Sequence, residues 1–170
     1  MPTATPSVET IVSAVVSAVS SAVGSGSTVV GYDHTYDDDV EWLKTDFLSG
    51  VAVSSVNAWI VDVASVATME GPAPGENYAI VNVRIRYLSL RVNQATWSKL
   101  ARQKWAAVKD ALEKKASIFA ISNQPQLRTP ETIGIESHGR ETISSAFWSK
   151  PQLVYRSTLG LTVEARIWGA

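Results

Sequence analysis

Five residues early in the chain combine the side chains that most often bind a divalent cation. They offer hard carboxylate oxygens and one imidazole, and they are Asp33, His34, Asp37, Asp38 and Asp39. Their spacing does not match a calcium-binding loop, because the sixth position counted from Asp33 lacks the required glycine and the twelfth is Lys44 instead of glutamate. A solvated acidic loop is the simpler interpretation. We therefore expect no metal and no other cofactor, and these five residues are the candidates for a cation.

The same acidic segment has a further interpretation if the chain assembles into a ring. Carboxylates at Asp37, Asp38 and Asp39 that face a pore would repel the phosphates of a passing DNA duplex. The sequence thus leaves three roles open for the segment: a solvated loop, a cation site, and a pore or partner surface.

The sequence contains no motif of a catalytic site. There is no Gly-x-Ser-x-Gly elbow, no Gly-x-x-x-x-Gly-Lys phosphate loop and no dinucleotide-binding glycine fingerprint. The two histidines, His34 and His138, each lie in turn-like sequence. The absence of cysteine excludes disulfides, thiolate zinc sites and a cysteine nucleophile. We expect that the chain is not an enzyme, and a small metal-dependent hydrolase is the alternative.

A loose positive group follows in the middle of the chain. Its members are Arg84, Arg86, Arg91, Lys99, Arg102 and Lys104. Aromatic residues lie among them, as in nucleic-acid-binding surfaces, but Trp97 and Trp105 fit a buried helix face better. The formal net charge of −1 also disfavours a dominant electrostatic contact with nucleic acid. We expect Arg84 and Arg86 on a surface that faces solvent or another subunit, where alternating arginines suit charge pairing.

The stretch from Asn77 to Ala116 predicts the core, as a strand followed by an amphipathic helix at about 95–117. From Tyr78 onward, apolar and polar side chains alternate, as in a strand with one buried face. The predicted buried face holds Val81, Val83, Ile85 and Tyr87, and the predicted wet face holds Asn82, Arg84 and Arg86. The helix then repeats apolar residues along one side, at Trp97, Ala101, Trp105, Val108, Leu112 and Ala116. Such a sheet and helix can cover each other's apolar surfaces.

A first helix is predicted near the start of the sequence. Thr5 is the expected N-cap with Pro6 at the first helical position, and Gly24 ends the run. Apolar residues from Val8 to Val23 mark one face, and serines occupy much of the other. A secretory signal is the competing interpretation. Against it, the segment has no Lys or Arg, contains Glu9 and is too short and serine-rich to span a bilayer.

Several strands are expected around these elements. Short ones are predicted at Thr28 to Tyr32, at Val51 to Val53 and at Thr132 to Glu136, and a turn at Ser137 to Arg140. The segment from Ala58 to Arg91 predicts a long antiparallel hairpin, with its turn in the Gly- and Pro-rich stretch Gly71 to Asn77. Alternation from Leu153 to Ile167 predicts a last long strand.

The composition favours one domain with a surface that is covered on assembly. Hydrophobic residues make up 45% and charged residues 18% of the 170, and the mean hydropathy of +0.04 is apolar for a soluble protein. Six tryptophans favour the same interpretation. We expect one α+β domain over residues 1–170. Its antiparallel or mixed sheet, with the long hairpin at about 58–91, would pack against two helices.

This order of elements resembles that of phage tail terminator proteins, also called tail-completion or minor tail protein U-like proteins. The resemblance covers nearly the whole chain and rests on layout and hydrophobic pattern. It is carried by the N-terminal helix, the short strand Gly50-Val51-Ala52-Val53, the long hairpin, the core helix, and the closing strand with Leu153-Val154-Tyr155-Arg156 and Leu161-Thr162-Val163. The family has no catalytic motif to compare residue by residue, so no site residue is carried over from it.

The resemblance implies a structural virion protein that assembles into a homo-oligomeric, typically hexameric ring. Such a ring caps the tail tube, halts its polymerisation and offers a docking face to the head. The implied partners are the tail tube protein, a head-completion or neck protein, and genomic DNA that passes through the lumen without specific binding. No membrane is implied, and the location is the tail or neck of the virion after assembly in the host cytoplasm.

Within such a ring we expect particular residues at the contacts. For the subunit interface they are Ile60, Val63, Arg84, Arg86 and Tyr87, and for the pore or partner surface they are Asp37, Asp38 and Asp39. The alternative in the same class is another neck component, a head-completion stopper or adaptor, or a tail tube-like protein. A terminator binds the end of the tube, whereas a stopper binds the portal or adaptor. A monomeric ligand-binding module would instead show a single-subunit mass and a large apolar pocket.

Overall fold

A computed structural model of the chain describes residues 7–36, 57–70, 74, 76–90, 94–113, 131–143 and 152–168. Its elements are α1 (Val8–Val23), β1 (Thr28–Gly31), β2 (Asn57–Glu70), β3 (Glu76–Leu90), α2 (Gln94–Glu113), β4 (Glu131–Ile143) and β5 (Gln152–Trp168). The strands form one mixed five-stranded sheet in the order β1-β2-β3-β5-β4, in which only β1 and β2 are parallel. The predicted α+β class, with two helices and a mixed sheet, is confirmed. The predicted strand at Val51 to Val53 lies outside the described residues.

Helix α1 begins after a serine cap. The Ser7 side-chain oxygen accepts a hydrogen bond from the Thr10 amide at 3.1 Å, which satisfies one of the amides that have no partner inside the helix. The prediction of Thr5 as the cap is therefore wrong. At the other end Gly24 has a φ of 72° and donates its amide to the Ser20 carbonyl, which ends the helix as predicted.

The core lies between the two helices and one face of the sheet. The inward side of α2 is formed by Ala101, Trp105, Val108 and Leu112, each at most 3% exposed, as predicted. The side chain of Trp97 and all of Ala116 lie outside the described part. Alternate strand residues complete the core: Trp59, Val61, Val63, Ala79, Val81, Val83, Ile85, Tyr87, Leu161 and Val163. From α1 the core receives Ile11, Val12, Ala14, Val15, Ala18 and Val19.

Helix α1 comes very close to β1 at one glycine. A Cβ added to Gly31 would lie 2.5 Å from Val16 Cγ2 and 3.0 Å from Val12 Cγ1. Valine on a helix has essentially one χ1 rotamer, so Val16 has little freedom to move aside. Gly31 therefore allows the helix to pack directly on the edge strand.

Strands β2 and β3 pair antiparallel, from Asn57 opposite Ser89 to Glu70 opposite Asn77. The register shifts between Val63 and Ser65, so β2 carries one extra residue, Ala64. Most of the segment Gly71 to Asn77, where a turn is predicted, lies outside the described residues.

Strand β4 runs through Ser137 to Arg140, where the sequence predicts a turn. That prediction is wrong because pairing with β5 holds the segment extended, with His138 opposite Ser157 and Arg140 opposite Tyr155. Two register shifts, after Thr132 and after Ile135, absorb the irregularity as bulges instead. The predicted last strand is confirmed by β5.

Candidate functional site

A buried ion-pair cluster occupies the face of the sheet opposite the helices. It consists of Asp62 on β2 and of Arg84 and Arg86 on β3. Arg84 donates to both carboxylate oxygens of Asp62, from Nε to Oδ1 at 3.1 Å and from Nη2 to Oδ2 at 2.6 Å. Arg86 Nη2 lies 3.4 Å from Asp62 Oδ1. A two-pronged arginine–carboxylate pair fixes side-chain orientation as well as balancing charge.

The burial of this cluster corrects the expectation of a wet strand face. The side chains of Asp62 and Arg86 are 0% and 4% exposed, and that of Arg84 is 25% exposed. The charge pairing that the alternating arginines favour is thus made inside the chain, with Asp62. Removing one partner from a buried ion pair costs about 3–5 kcal/mol because the other charge stays buried. The cluster is therefore part of what holds this face of the sheet together.

The ion-pair cluster also binds the backbone of Tyr36. The Tyr36 amide donates to Asp62 Oδ2 at 2.9 Å, and its carbonyl accepts from Arg84 Nη2 at 3.1 Å and from Arg86 Nη2. Asp62 thereby accepts hydrogen bonds from two elements at once. Because Asp37 follows directly in the sequence, the cluster fixes the point from which the acidic residues 37–39 start.

The segment before Tyr36 lies along β2. The Tyr32 amide donates to the Val61 carbonyl at 2.8 Å, and Thr35 Oγ1 donates to the Val63 carbonyl at 2.8 Å. The rings of Tyr32 and Tyr36 stack with centroids 4.5 Å apart. These contacts extend the coverage of the β2 edge beyond β1, as far as Val63.

The two described members of the predicted cation site are exposed. The side chains of His34 and Asp33 are 64% and 60% exposed, and His34 Nδ1 lies 2.9 Å from Asp33 Oδ1. This hydrogen bond holds the pKa of the Asp33 carboxyl below its usual value. No three His, Cys, Asp or Glu side chains within the described residues are grouped so that they could hold a metal. Asp37, Asp38 and Asp39 lie outside those residues, and their predicted roles stay predictions.

Four of the five side chains predicted at the subunit interface lie inside the chain. They are Ile60, Val63, Arg86 and Tyr87, which are at most 4% exposed. Tyr87 stacks on Trp59 with ring centroids 4.4 Å apart, and burial raises the pKa of its hydroxyl. Only Arg84 retains appreciable exposure. The predicted interface stays a prediction, and the surface for it has to be sought elsewhere on the chain.

Lys104, which the sequence places in the positive group, joins three elements instead of forming a surface patch. Its Nζ donates to Asn57 Oδ1 at 3.0 Å and to Ser27 Oγ at 3.3 Å, and lies 5.6 Å from the centroid of the Tyr87 ring. Burial lowers its pKa, because the charged form loses water without gaining a carboxylate in these contacts. The lysine therefore ties α2 to the start of β2 and to the turn before β1.

The two most exposed large apolar side chains among the described residues lie on the second half of β2. All seven residues from Ala64 to Glu70, hereafter the strand extension, are exposed, whereas Ala58 to Val63 are buried. Val66 and Met69 are 48% and 54% exposed. Val66 is opposite Val81 of the helix-facing side, and Met69 is opposite Tyr78, so the two project from opposite faces. Within the described part of the chain, β3 alone pairs with the strand extension.

A separate groove of about 490 Å³ runs between α1 and the end of β1. Its wall is polar at Glu9, Ser13, Ser17 and Asp33 and apolar at Val12 and Val16. Its described lining supplies two carboxylates, Glu9 and Asp33, and no histidine, lysine or arginine.

Comparison with protein-family models and with curated proteins adds no relative. No protein-family model matches the chain, and no curated protein matches it either. In the part of the chain that the structure describes, neither helix is long and apolar enough to cross a membrane. The function is therefore inferred from the fold and from the strand extension.

Proposed function

We propose that this chain is a structural virion protein of a tailed phage, a tail terminator. It forms a ring at the head-proximal end of the tail, where it ends tube polymerisation and joins tail to head. Two observations support the proposal: the order of elements resembles that of tail terminators, and two helices pack on one face of a mixed sheet. In this proposal β2 and β3 are the arms of the long hairpin of a tail-terminator-like fold.

The strand extension is the observation that carries the proposal. Seven consecutive exposed residues follow six buried ones on the same strand, and they include Val66 and Met69. Natural sheets rarely leave a long, nearly uncharged edge in water, because it is a template for pairing with another chain. A surface of this kind is typical of a subunit whose neighbour covers it. Closed cyclic symmetry would cover it in every subunit.

The proposed mechanism is occlusion and recognition, with no bond made or broken. One face of the ring covers the last ring of the tail tube and prevents further subunits from adding. The other face binds the head-completion protein. Asp37, Asp38 and Asp39 would line the pore or a partner surface, and the hydrogen bonds of Tyr36 to the ion-pair cluster would hold the start of this segment in place. Carboxylates at a pore would keep DNA moving by repulsion.

Tube polymerisation in the presence of the purified full chain tests this function. We expect the chain to form a hexameric ring by native mass spectrometry, and to give short tubes with one capped end by electron microscopy. The variant Val66→Ser/Met69→Ser should lose both properties. Ser13→Ala, on the exposed side of α1, is the matched control and should keep them.

Two outcomes would contradict the proposal. If the chain has the mass of a single subunit both alone and with tube protein, it does not form the proposed ring. If the ring binds the portal or adaptor instead of the tube end, the chain is a head-completion stopper or adaptor and not a tail terminator.

A further inference from the structure

The described sheet has two edges of different chemical character. One consists of β1 and, beyond it, the strand extension, whose sequence Ala-Ser-Val-Ala-Thr-Met-Glu contains a single charge, at Glu70, and neither Lys, Arg nor Pro. The other is β4, which pairs only with β5 within the described residues and contains three glutamates and one arginine. At about 3.3 Å per residue the strand extension offers roughly 23 Å of backbone to a partner strand.

The exposed backbone of the strand extension requires a particular kind of partner. A strand edge presents a row of amides and carbonyls, and another strand satisfies that row. The usual protection of edges by lysine or proline is absent here, and the one bulge lies at the inner end, between Val63 and Ser65. The partner is therefore expected to contribute an extended segment.

We infer that the strand extension of one copy pairs with the β4 edge of the next copy, so that the sheet continues from subunit to subunit. This inference rests on the proposed ring and specifies its contact. Two β4 strands paired together would bring glutamates from both chains to one seam, and like charges across strands are destabilising. Two strand extensions paired together would close a dimer and leave both β4 edges open. Pairing unlike edges places a nearly neutral strand against the charged one, and such a head-to-tail contact generates a ring when the rotation between subunits closes, as the proposed function requires.

Cysteine cross-linking tests this contact without background, because the chain contains no cysteine. Ala67→Cys in the strand extension is combined in one chain with Thr132→Cys, Ser137→Cys or Thr142→Cys in β4, and the assembled full chain is oxidised. A disulfide forms where Cα atoms lie about 4.4–6.8 Å apart. We expect at least one double variant to give a covalent ladder up to the ring. Thr68→Cys replaces Ala67→Cys if the latter fails to fold by circular dichroism.

The controls separate this inference from the proposed function. Ala67→Cys alone should give no covalent dimer, and Ala67→Cys with Ser17→Cys on the exposed side of α1 should give no ladder. A dimer from Ala67→Cys alone would show that like edges pair and would overturn the inference. A ring of correct mass without cross-links in any β4 combination would overturn it while leaving the ring intact. A chain that never assembles would overturn the proposed function and this contact with it.

Discussion

The two halves of β2 lie in opposite environments. From Ala58 to Val63 every residue is buried, including Asp62, whereas from Ala64 to Glu70 every residue is exposed. The inner half has β1 and the segment Tyr32 to Tyr36 along its edge, and core residues of both helices on one face. The outer half has β3 alone within the described chain. The difference thus follows the neighbours that the fold supplies within the described residues, and the exposed half is also the more polar one.

The boundary between the halves coincides with the bulge at Ala64. A bulge adds twist and redirects a strand, which suits the point where β2 leaves the packed part of the sheet. In the inner half, burying a side chain such as Ile60 or Val61 contributes about 1.5–3 kcal/mol to folding. In the outer half, Val66 and Met69 keep about half of their surface in water. That surface is available to stabilise an assembly.

The largest effect on folding is expected from Asp62→Asn in the inner half. The amide removes the buried carboxylate charge that pairs with Arg84 and Arg86, so the free energy of unfolding should fall by about 3–5 kcal/mol in urea titrations. Glu70→Gln, in the outer half of the same strand, is the matched control and should change it by less than about 0.5 kcal/mol. Similar effects of the two substitutions would remove the energetic contrast between the halves.

A smaller loss is expected from Gly31→Ala, opposite Val61 of the inner half. The new Cβ would lie 2.5 Å from Val16 Cγ2, so α1 has to shift, at a cost of about 1–3 kcal/mol. The loss of stability is measured by thermal unfolding at one fixed protein concentration, with Ser17→Ala as the control on the same helix. An unchanged melting temperature would show that α1 does not press on β1.

Alkaline pH should weaken the inner half through Tyr87, which lies opposite Trp59. Burial raises the folded-state pKa of its hydroxyl above the ordinary value of 10.0. The stability that the neutral hydroxyl contributes is therefore complete below pH 10.0 and is lost as the pH rises through the folded-state pKa. The slope is at most about 1.4 kcal/mol per pH unit. Urea unfolding of the wild type and of Tyr87→Phe, each at about pH 8 and above pH 10, isolates the effect. Equal alkaline losses in both proteins would exclude Tyr87 as their source.

The smallest effect on folding is expected from Val66→Ser/Met69→Ser in the outer half. Both side chains are about half exposed, so the free energy of unfolding of the single subunit should change by less than about 1 kcal/mol. The same variant should nevertheless fail to assemble, which sedimentation velocity measures. A variant that assembles normally would show that the exposed side chains of the outer half are not the contact.

Periodicity was sufficient to predict the core face of α2 and the helix-facing side of β3, although Arg86 shows that the opposite side of β3 is buried as well. It could not predict the partner of the arginines. A register counted back from the Glu70–Asn77 pair would place Ile85 opposite Asp62. The bulge at Ala64 brings Arg84 there instead. The single aspartate within the apolar run Ile60 to Val63 was the available signal, since a buried carboxylate needs a cationic partner.

The predicted turn in β4 failed for a related reason. Ser137, His138 and Gly139 are typical of turns, but pairing with β5 overrides that preference. The exposure of the strand extension was not predicted, although Ser65, Thr68 and Glu70 make it more polar than the buried run before it. Within the described residues β3 is the one strand that pairs with it, and that is a property of the tertiary structure.

Hydrogen exchange measured by mass spectrometry tests the central claim most directly, since the inner half of β2 serves as the reference within the same molecule. In the Val66→Ser/Met69→Ser variant, amides of Ala64 to Glu70 should exchange much faster than those of Ala58 to Val63. In the assembled wild type, the account predicts that both halves are protected to a similar degree. Rapid exchange of the outer half in the assembled protein would contradict it.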